Sequence, residues 1–434
     1  MQPYWTDGER EVWQGDAWAL AGQLAPASVD CLMTSPPYWG LRDYGVEGQC
    51  GLEAHPQEWL DKLVDLFVRL RPALKPTATL WVNLGDTYGK CIRDGWVRPK
   101  QLLLLPERFA IAMQDAGFLL RNDIAWTKPN AICESAGDRF SRKWEHLFLF
   151  TLAERYYFDL EAVRVPLSDP KRMRGEADVV GGRSWRERGQ HSQGGAVRRC
   201  GRNSQVCRDR DPDHPEARKR NPEDEAHNPS GANPGDVWTI NPVPFPKGHF
   251  ATFPPQLVER PLTAGCPREV CVECGKPKVR EMAVSYGPKP GWGPGSANAR
   301  RREIRDGAVQ AWEAKPRLQR EVETLGWRPT CDCEAAFEPG LVLDPFLGSG
   351  TTLCVAKELG LRGIGFELNP EYCAMAARRI ADWQRPKAMV AAEANGQGTL
   401  FDATAAGPAH AGVPALPAAA CSVLTPEVEE VAAG

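Results

Sequence analysis

A short turn made of Ser35, Pro36, Pro37 and Tyr38 carries groups that could hold a planar base. It follows an apolar segment, residues 29–33, that is typical of a buried strand. The prolines restrict the backbone, so the Pro36 carbonyl and the Ser35 hydroxyl can point at one place beside the Tyr38 ring. Two such acceptors suit the two protons of an exocyclic amine whose ring stacks on the tyrosine. The turn therefore predicts a site that positions an amine for attack on a methyl group.

A glycine-rich turn near the other end of the chain is a second candidate site. Residues 341–352 read Leu-Val-Leu-Asp-Pro-Phe-Leu-Gly-Ser-Gly-Thr-Thr, which indicates a strand, a turn and a helix start. Gly348 and Gly350 allow a ligand close to the backbone, and the helix offers it free amides. Glu367, at the end of the next predicted strand, can accept both hydroxyls of a ribose. The turn has neither the G-x-G-x-x-G fingerprint nor a phosphate-binding lysine, so it favours S-adenosylmethionine.

Four cysteines bracket a basic segment, with Cys271 and Cys274 before it and Cys331 and Cys333 after it. A C-x-x-C pair followed by glycine is typical of half a structural zinc site, and four thiolates complete a tetrahedron. We predict a zinc ion there with no role in methyl transfer, and Cys266 is an alternative ligand. The competing interpretation is four reduced thiols at the base of a loop.

Two regions that alternate short apolar strands with amphipathic helices must position these sites. The predicted strands cover residues 29–33, 79–84, 119–126, 146–151, 341–344 and 363–367. The predicted helices include residues 106–117, 351–359 and 370–383. Such alternation predicts an α/β protein with helices packed on a sheet.

Composition excludes several classes of protein. The chain has 434 residues, 42% of them hydrophobic and 25% charged, as in globular proteins. No apolar run approaches the ~18–20 residues that cross a membrane, and the charged N-terminal segment does not resemble a signal peptide. Fourteen cysteines are too few for a disulfide scaffold. We therefore predict a soluble, cytoplasmic protein with reduced cysteines.

Charge is distributed unevenly along a chain whose net charge is −3. Residues 168–235 hold 14 Lys and Arg against 11 Asp and Glu, and residues 275–330 hold 12 against 6. Basic, loop-rich inserts of this kind suit contact with a polyanion. Residues 386–434 are rich in Ala, Pro and Gly and are predicted to be a disordered tail.

The motifs together resemble the β-class DNA amino-methyltransferases, which make N4-methylcytosine or N6-methyladenine. The similar segments are residues 15–16, 34–39, 123–130, 138–140, 144–148, 249–254, 344–352 and 365–372. Their order, with the catalytic turn first and the cofactor loop near the C-terminus, is that of the β arrangement. The resemblance covers residues 10–165 and 234–383, about seven-tenths of the chain.

This resemblance implies a Rossmann-like, AdoMet-dependent methyltransferase fold: a circularly permuted, seven-stranded, mostly parallel sheet. Residues 10–165 would form its catalytic half and residues 236–383 its AdoMet-binding half, which carries a zinc-knuckle-like insert at 266–333. The target base would have to flip out of the duplex to meet the cofactor at the strand ends. The resemblance implies that the catalytic residues are those of the turn at residues 35–38. The implied cofactor-binding residues are Asp16, Thr252, Phe253, Asp344, Pro345, Phe346, Gly348, Ser349, Gly350, Thr351, Glu367 and Asn369.

Ser35 stands where adenine enzymes of this family usually have Asp, which favours N4 of cytosine over N6 of adenine. The chain contains no Pro-Cys pair, so cytosine-C5 methylation is disfavoured. Two alternatives belong to other classes. A protein-glutamine methyltransferase shares a Pro-Pro-Tyr turn but has the opposite motif order. A non-catalytic, zinc-stapled DNA-binding protein would not need Ser35, Tyr38, Asp344 and Glu367 intact.

The predicted partner is double-stranded DNA. Residues 168–235 occupy a position where β-class enzymes often recognise their target, and residues 275–330 are the alternative. Gln397–Phe401, in the tail, resembles the peptide by which replication proteins bind the bacterial sliding clamp. The enzyme would act either with a restriction partner or alone.

Overall fold

The computed structural model describes residues 2–92, 95–131, 134–165, 231–242, 253–288 and 318–384. The predicted disordered tail, the clamp-binding peptide and residues 168–230 of the first insert lie outside the described residues. Among the described helices, none has the length and apolar character needed to cross a membrane.

One sheet organises the described residues. In spatial order its strands are β1 (Trp5–Thr6), β2 (Arg10–Gln14), β13 (Arg362–Glu367), β12 (Leu341–Asp344), β3 (Val29–Thr34), β4 (Leu74–Leu84), β6 (Trp144–Thr151), β5 (Leu119–Thr127) and β7 (Val237–Thr239). The five strands from β2 to β4 run parallel. β6 runs antiparallel to both of its neighbours, β4 and β5. The α/β class and the mostly parallel sheet are thus confirmed.

The predicted count of seven strands is wrong for this sheet, which has nine in the described residues. The two additional strands lie at its edges. β1 has two residues and pairs with β2 through a tight turn, and β7 has three and runs parallel to β5. Neither short segment carries enough alternating residues to show a strand period, which explains why the sequence did not indicate them.

In the described residues, six helices cover the sheet. They are α1 (Ala17–Ala21), α2 (Pro56–Leu70), α3 (Leu105–Asp115), α4 (Pro255–Gly265), α5 (Thr351–Glu358) and α6 (Pro370–Ala381). Proline lies in the first turn of α2, α3, α4 and α6, where its missing N–H loses no bond. Helices α1–α3 pack on one face around Trp59, Phe67 and Phe109. Helices α4 and α5 pack on the other face, and α6 packs against α5 and β2.

The central strand β3 explains why both faces need helices. All six of its residues are buried, and Leu32 joins one core while Cys31 and Met33 join the other. Such a strand is stable only when apolar surface covers it on both sides.

The neighbouring strands β3 and β12 send the chain to opposite faces of the sheet. The chain passes from β3 to α2 on one face, and from β12 to α5 on the other. Where strand order reverses in this way, a crevice opens at the carboxyl ends of the strands. Both candidate turns follow these two strands, so the topology brings them to the same crevice.

Two small antiparallel strand pairs accompany the sheet in the part of the chain that the structure describes. β8 (Val270–Cys271) pairs with β11 (Phe337–Glu338), and β9 (Val279–Pro288) pairs with β10 (Leu318–Arg328). The flanks of the second basic insert, predicted to be rich in loops, therefore form a two-stranded ribbon.

Candidate active site

A cavity with about 900 Å³ of free space, partly open to solvent, lies at this crevice. The residues that the sequence predicted and that line it are Asp16, Ser35, Pro37, Phe253, Pro345, Phe346, Gly348, Ser349, Thr351, Glu367 and Asn369. Ser35 and Gly348 are distant in sequence yet line the same cavity. A ligand bound by the glycine-rich turn would therefore lie beside the proline-rich turn.

The glycine-rich turn is held by backbone bonds to β13. Leu347 N donates to the Phe366 carbonyl at 2.8 Å, and Gly350 N closes the turn on the Leu347 carbonyl at 2.9 Å. Gly348 and Gly350 have φ of 53° and 83°, in the left-handed region that glycine adopts most readily. A Cβ at Gly350 would lie 3.1 Å from the Ala376 Cβ, so glycine lets α6 pack close to the turn.

Glu367 at the end of β13 forms part of the cavity wall. Its two carboxylate oxygens accept hydrogen bonds from Gly348 N and Asn369 N, each at 2.8 Å. Burial raises the pKa of Glu367 to about 7 against the opposing effect of these amides, and the nearby Asp344 carboxylate adds to the rise. A carboxylate fixed in this way keeps lone pairs with which to accept a ligand's hydroxyl groups.

Asp344 lies beneath the turn rather than on the cavity wall. Its carboxylate accepts hydrogen bonds from Thr34 Oγ1 at 2.7 Å, Thr352 Oγ1 at 2.6 Å and Phe346 N at 3.1 Å. Burial raises its pKa to about 6, although all three donors favour the ionised form. These bonds join β3, the turn and α5, so Asp344 holds the two halves of the crevice together.

Not every predicted site residue reaches the cavity. Pro36, Tyr38 and Gly350 are, like Asp344, absent from its wall. Thr252 lies outside the described residues.

Hydrogen bonds connect the proline-rich turn to the carboxyl end of β4. The Ser35 hydroxyl donates to Asn83 Oδ1 over a long 3.4 Å, and the Tyr38 hydroxyl lies 3.1 Å from the same oxygen. Asn83 Nδ2 donates to the His146 carbonyl at 2.9 Å. Because the Ser35 hydroxyl donates its hydrogen bond to Asn83, its oxygen can act only as an acceptor toward the cavity that it lines.

Glu145 at the start of β6 completes this group. Its Oε2 lies 3.0 Å from the Tyr38 hydroxyl, and its other oxygen forms an ion pair with Lys128. Burial and then the Glu145 carboxylate raise the pKa of Tyr38 well above its usual value, so the phenol stays protonated. A Cβ at Gly85 would lie only 2.6 Å from the Tyr38 ring, so glycine is needed there for this close packing.

Sequence reasoning missed several residues of the site. Trp18, Tyr44, Gln49 and Tyr372 line the cavity, and Asn83, Lys128 and Glu145 support the proline-rich turn. Asn83 is a polar residue near the end of a predicted strand, but only the order of the strands in the sheet places it beside Ser35. Lys128 and Glu145 belong to segments that carry the family resemblance but had no assigned role.

The four predicted metal ligands lie together. The Sγ atoms of Cys271, Cys274, Cys331 and Cys333 are all within 4.8 Å of one another. Cys266, the alternative ligand, is buried in the core between the sheet and α4 and is not in this group.

Comparison with known proteins shows which family has this α/β fold. Residues 29–272 and 334–378 match the model of the N6_N4_Mtase family, described as DNA methylase. The chain belongs to this family.

Curated relatives extend over most of the chain. Type II methyltransferase M.XycI of Xanthomonas campestris pv. cyanopsidis is 30% identical over 85% of this chain and 87% of its own length. Type II methyltransferase M.SmaI of Serratia marcescens is 29% identical over 84% and 89%, respectively.

Among solved structures, the PvuII DNA methyltransferase (cytosine-N4-specific) is similar, with 17% identity and a TM-score of 0.47 over 91% of this chain and 94% of that one. A putative DNA modification methylase of Thermus thermophilus, solved in complex with S-adenosyl-L-methionine, has 18% identity and a TM-score of 0.40 over 85% and 94%.

The family is one of AdoMet-dependent DNA methyltransferases. The predictions of a β-class resemblance, of methyltransferase activity on DNA and of AdoMet as the methyl donor are confirmed at this level.

Proposed function

We propose that the protein transfers the methyl group of AdoMet to N4 of a cytosine flipped out of double-stranded DNA. The observation that carries this proposal is the shared cavity, whose wall includes Ser35 on one side and Gly348 and Glu367 on the other. Methyl transfer needs the amine and the methyl donor in contact, and this arrangement supports such contact without movement of the sheet.

The cofactor side of the cavity fits AdoMet, which supplies an electrophilic methyl group on a sulfonium when bound. The Glu367 carboxylate would accept the ribose hydroxyls, and Asp16 would contact the adenine. Phe253, Phe346 and Trp18 add apolar ring surface to the wall. The turn amides near Ser349 lie where the cofactor's carboxylate would be bound.

The base side would hold the cytosine amine with Ser35 Oγ, which lines the cavity, and with the carbonyl of the adjacent Pro36, which lies outside the wall and would meet the amine only once the base is bound at the turn. Accepting both amine protons turns the nitrogen lone pair out of conjugation with the ring and toward the methyl group. Asn83 acts as a positioning residue because it accepts the hydrogen bond of the Ser35 hydroxyl and so keeps the serine oxygen an acceptor toward the amine. Ser35 stands where adenine enzymes of the family usually have Asp, which supports cytosine over adenine as the target.

Loops that follow β4 and β5 support contact with a DNA duplex at this end of the sheet. The Arg139 guanidinium lies 3.7 Å from the Tyr88 ring centroid, and Lys100 pairs with Asp138, so the loops are joined to each other. Phe140 is 98% exposed, more than any other large apolar side chain of the described residues. We propose that Phe140 enters the base stack from which the cytosine leaves.

The test is incubation of the full-length protein with methyl-labelled AdoMet and unmethylated duplex DNA, followed by digestion to nucleosides. We expect label in N4-methylcytosine, and Ser35→Ala should lower the rate about 10²–10³-fold. Label only in N6-methyladenine would overturn the choice of base. Labelled protein with unlabelled DNA would overturn the function and support the protein-glutamine alternative.

A fluorescent base analogue next to the target cytosine tests the role of Phe140. Flipping unstacks the analogue and increases its fluorescence, and Phe140→Ala should reduce that increase. Ile111→Ala, which changes an exposed apolar residue on α3, is the matched control. An equal fluorescence increase in all three proteins would contradict this role.

The relatives named as Type II methyltransferases support a place in a restriction-modification system. A cytoplasmic location follows if the substrate is the cell's own DNA. Target recognition by residues 168–235 or 275–330 and sliding-clamp binding by Gln397–Phe401 stay predictions.

A further inference from the structure

We infer that Cys271, Cys274, Cys331 and Cys333, hereafter the four-cysteine cluster, bind one structural Zn²⁺ ion. All four Sγ atoms lie within 4.8 Å of one another. With Zn–S bonds of about 2.3 Å, the edges of a thiolate tetrahedron are about 3.8 Å long, so small side-chain rotations would complete the site. This inference is independent of the proposed methyl transfer.

The first pair of ligands lies on a preformed knuckle. Gly275 N donates to the Cys271 carbonyl and Cys271 N donates to the Lys276 carbonyl, each at 2.9 Å. Gly275 has φ of 69°, a left-handed conformation that lets the chain reverse directly after Cys274. These backbone bonds hold Cys271 and Cys274 on the same side of the turn.

Strand pairing brings the second pair of ligands to this knuckle. Cys271 is paired with Phe337, and Val272 N donates to the Ala336 carbonyl at 3.1 Å. Cys331 and Cys333 lie just before this segment, so they return to the knuckle after a long excursion of the chain. Separate backbone contacts, the turn bonds at Cys271 and the strand pairing of Cys271 with Phe337, bring the two pairs of cysteines together. A chance approach of two thiols would not need such contacts.

The cluster lies at the root of the β9–β10 ribbon, since Cys274 precedes β9 and Cys331 follows β10. A metal there would close the root, where the Thr330 hydroxyl also donates to the Pro277 carbonyl at 2.6 Å. Farther along the ribbon, Arg280 Nη2 pairs with Asp159 Oδ2 at 2.7 Å. The metal would therefore fix the direction in which the ribbon leaves the core.

The knuckle itself rests on the core. A Cβ at Gly275 would lie 3.3 Å from Cε of Lys75, whose Nζ pairs with the buried Asp30 at 2.7 Å. A substitution at Gly275 would crowd this buried pair as well as strain the turn. The metal site is thus joined to the sheet at the starts of β3 and β4, the ends of these strands opposite the Ser35–Tyr38 turn.

The principal test is the metal content of the full-length protein, purified under reducing conditions from cells grown with zinc. We expect about one zinc per chain in the wild type, and less than about a fifth of that in Cys274→Ser and Cys331→Ser. Cys91→Ser, which changes a cysteine outside the cluster, should keep its zinc. Substitution of Co²⁺ should give the absorption bands of tetrahedral cobalt thiolate.

Several results would overturn the inference. They are wild-type protein without zinc, unchanged zinc in both cluster variants, or disulfide bonds among the four cysteines in the native protein. Should the serine variants fail to fold, a thiol-modifying mercurial added to the wild type provides a second measurement. It should release one zinc as four thiols react, and release of none would count against the site. None of these readouts requires DNA or AdoMet.

Discussion

The two walls of the cavity are built in different ways. The glycine-rich turn and Glu367 belong to one continuous β12–α5–β13 unit, in which neighbours in sequence are neighbours in space. The base-facing wall joins the ends of β3, β4 and β6, with Ser35 supported by Asn83 and Asn83 held by the backbone of His146. The glycine-rich turn and Glu367 are therefore a local part of the first wall, whereas the base-facing wall exists only when the sheet is complete.

This difference predicts that substitutions on the base-facing wall act on the rate, with little effect on cofactor affinity. Tyr38 lies behind this wall and supports it, and Tyr38→Ala should, like Ser35→Ala, lower kcat by about 10²–10³-fold, because it removes both the ring and the hydroxyl beside Asn83. The KM for AdoMet should change by less than about 3-fold. Steady-state methylation of duplex DNA measures both.

Tyr38→Phe sharpens that prediction by keeping the ring. If the ring alone matters, kcat stays near the wild-type value. We expect a loss of about 10-fold, since the hydroxyl helps to fix Asn83 and Glu145. A rise in the KM for AdoMet that matches the fall in kcat/KM would contradict the separation of the two walls.

On the cofactor wall, Glu367→Gln should weaken AdoMet binding by about 10-fold or more without an equal loss of kcat. A charged acceptor of two hydroxyl groups becomes a neutral amide, and such hydrogen bonds contribute about 1.5–3 kcal/mol. Calorimetric titration with AdoMet measures the change.

The pH dependence of AdoMet binding tests the same residue. The pKa of Glu367 is about 7, so lowering the pH from about 8 to about 6 protonates the carboxyl and removes the anionic acceptor. Wild-type affinity should fall over this range, and the affinity of Glu367→Gln should fall less. An equal decrease in both proteins would assign the pH dependence to AdoMet itself.

The contrast between the walls also explains how much could be predicted from sequence. Gly348 and Glu367, which line the cavity, could be predicted because the glycine-rich turn and the end of the following strand lie close together in the sequence. Asn83 and Glu145 were not found, because their proximity to Ser35 depends on the strand order β3-β4-β6.

Burial distinguishes the predicted residues that face the cavity from those that lie behind its wall. Asp344 has the motif position of a ligand-binding acid, yet it is 1% exposed and holds three internal donors. Sequence patterns identify a motif but do not distinguish the side of a turn that faces a ligand from the side that faces the core. The edge strands β1 and β7 were missed for another reason, since two or three residues show no period.

The substitution with the smallest expected effect tests whether the hydrogen bonds of Asp344 join the two walls. Thr352→Val removes the donor 2.6 Å from its carboxylate and should lower the free energy of unfolding by about 1–3 kcal/mol. The pKa of Asp344 is about 6, above its ordinary value, so the group is largely protonated at about pH 5 and ionised at about pH 8. An ionised carboxylate needs its donors more, so the loss of unfolding free energy in Thr352→Val should be larger at the higher pH.

Urea unfolding of the wild type and of Thr352→Val at the two pH values measures this loss. Thr352→Ser, which keeps the hydroxyl, is the control. A deficit that is the same at both pH values would mean that lost packing, and not the hydrogen bond to Asp344, destabilises the variant.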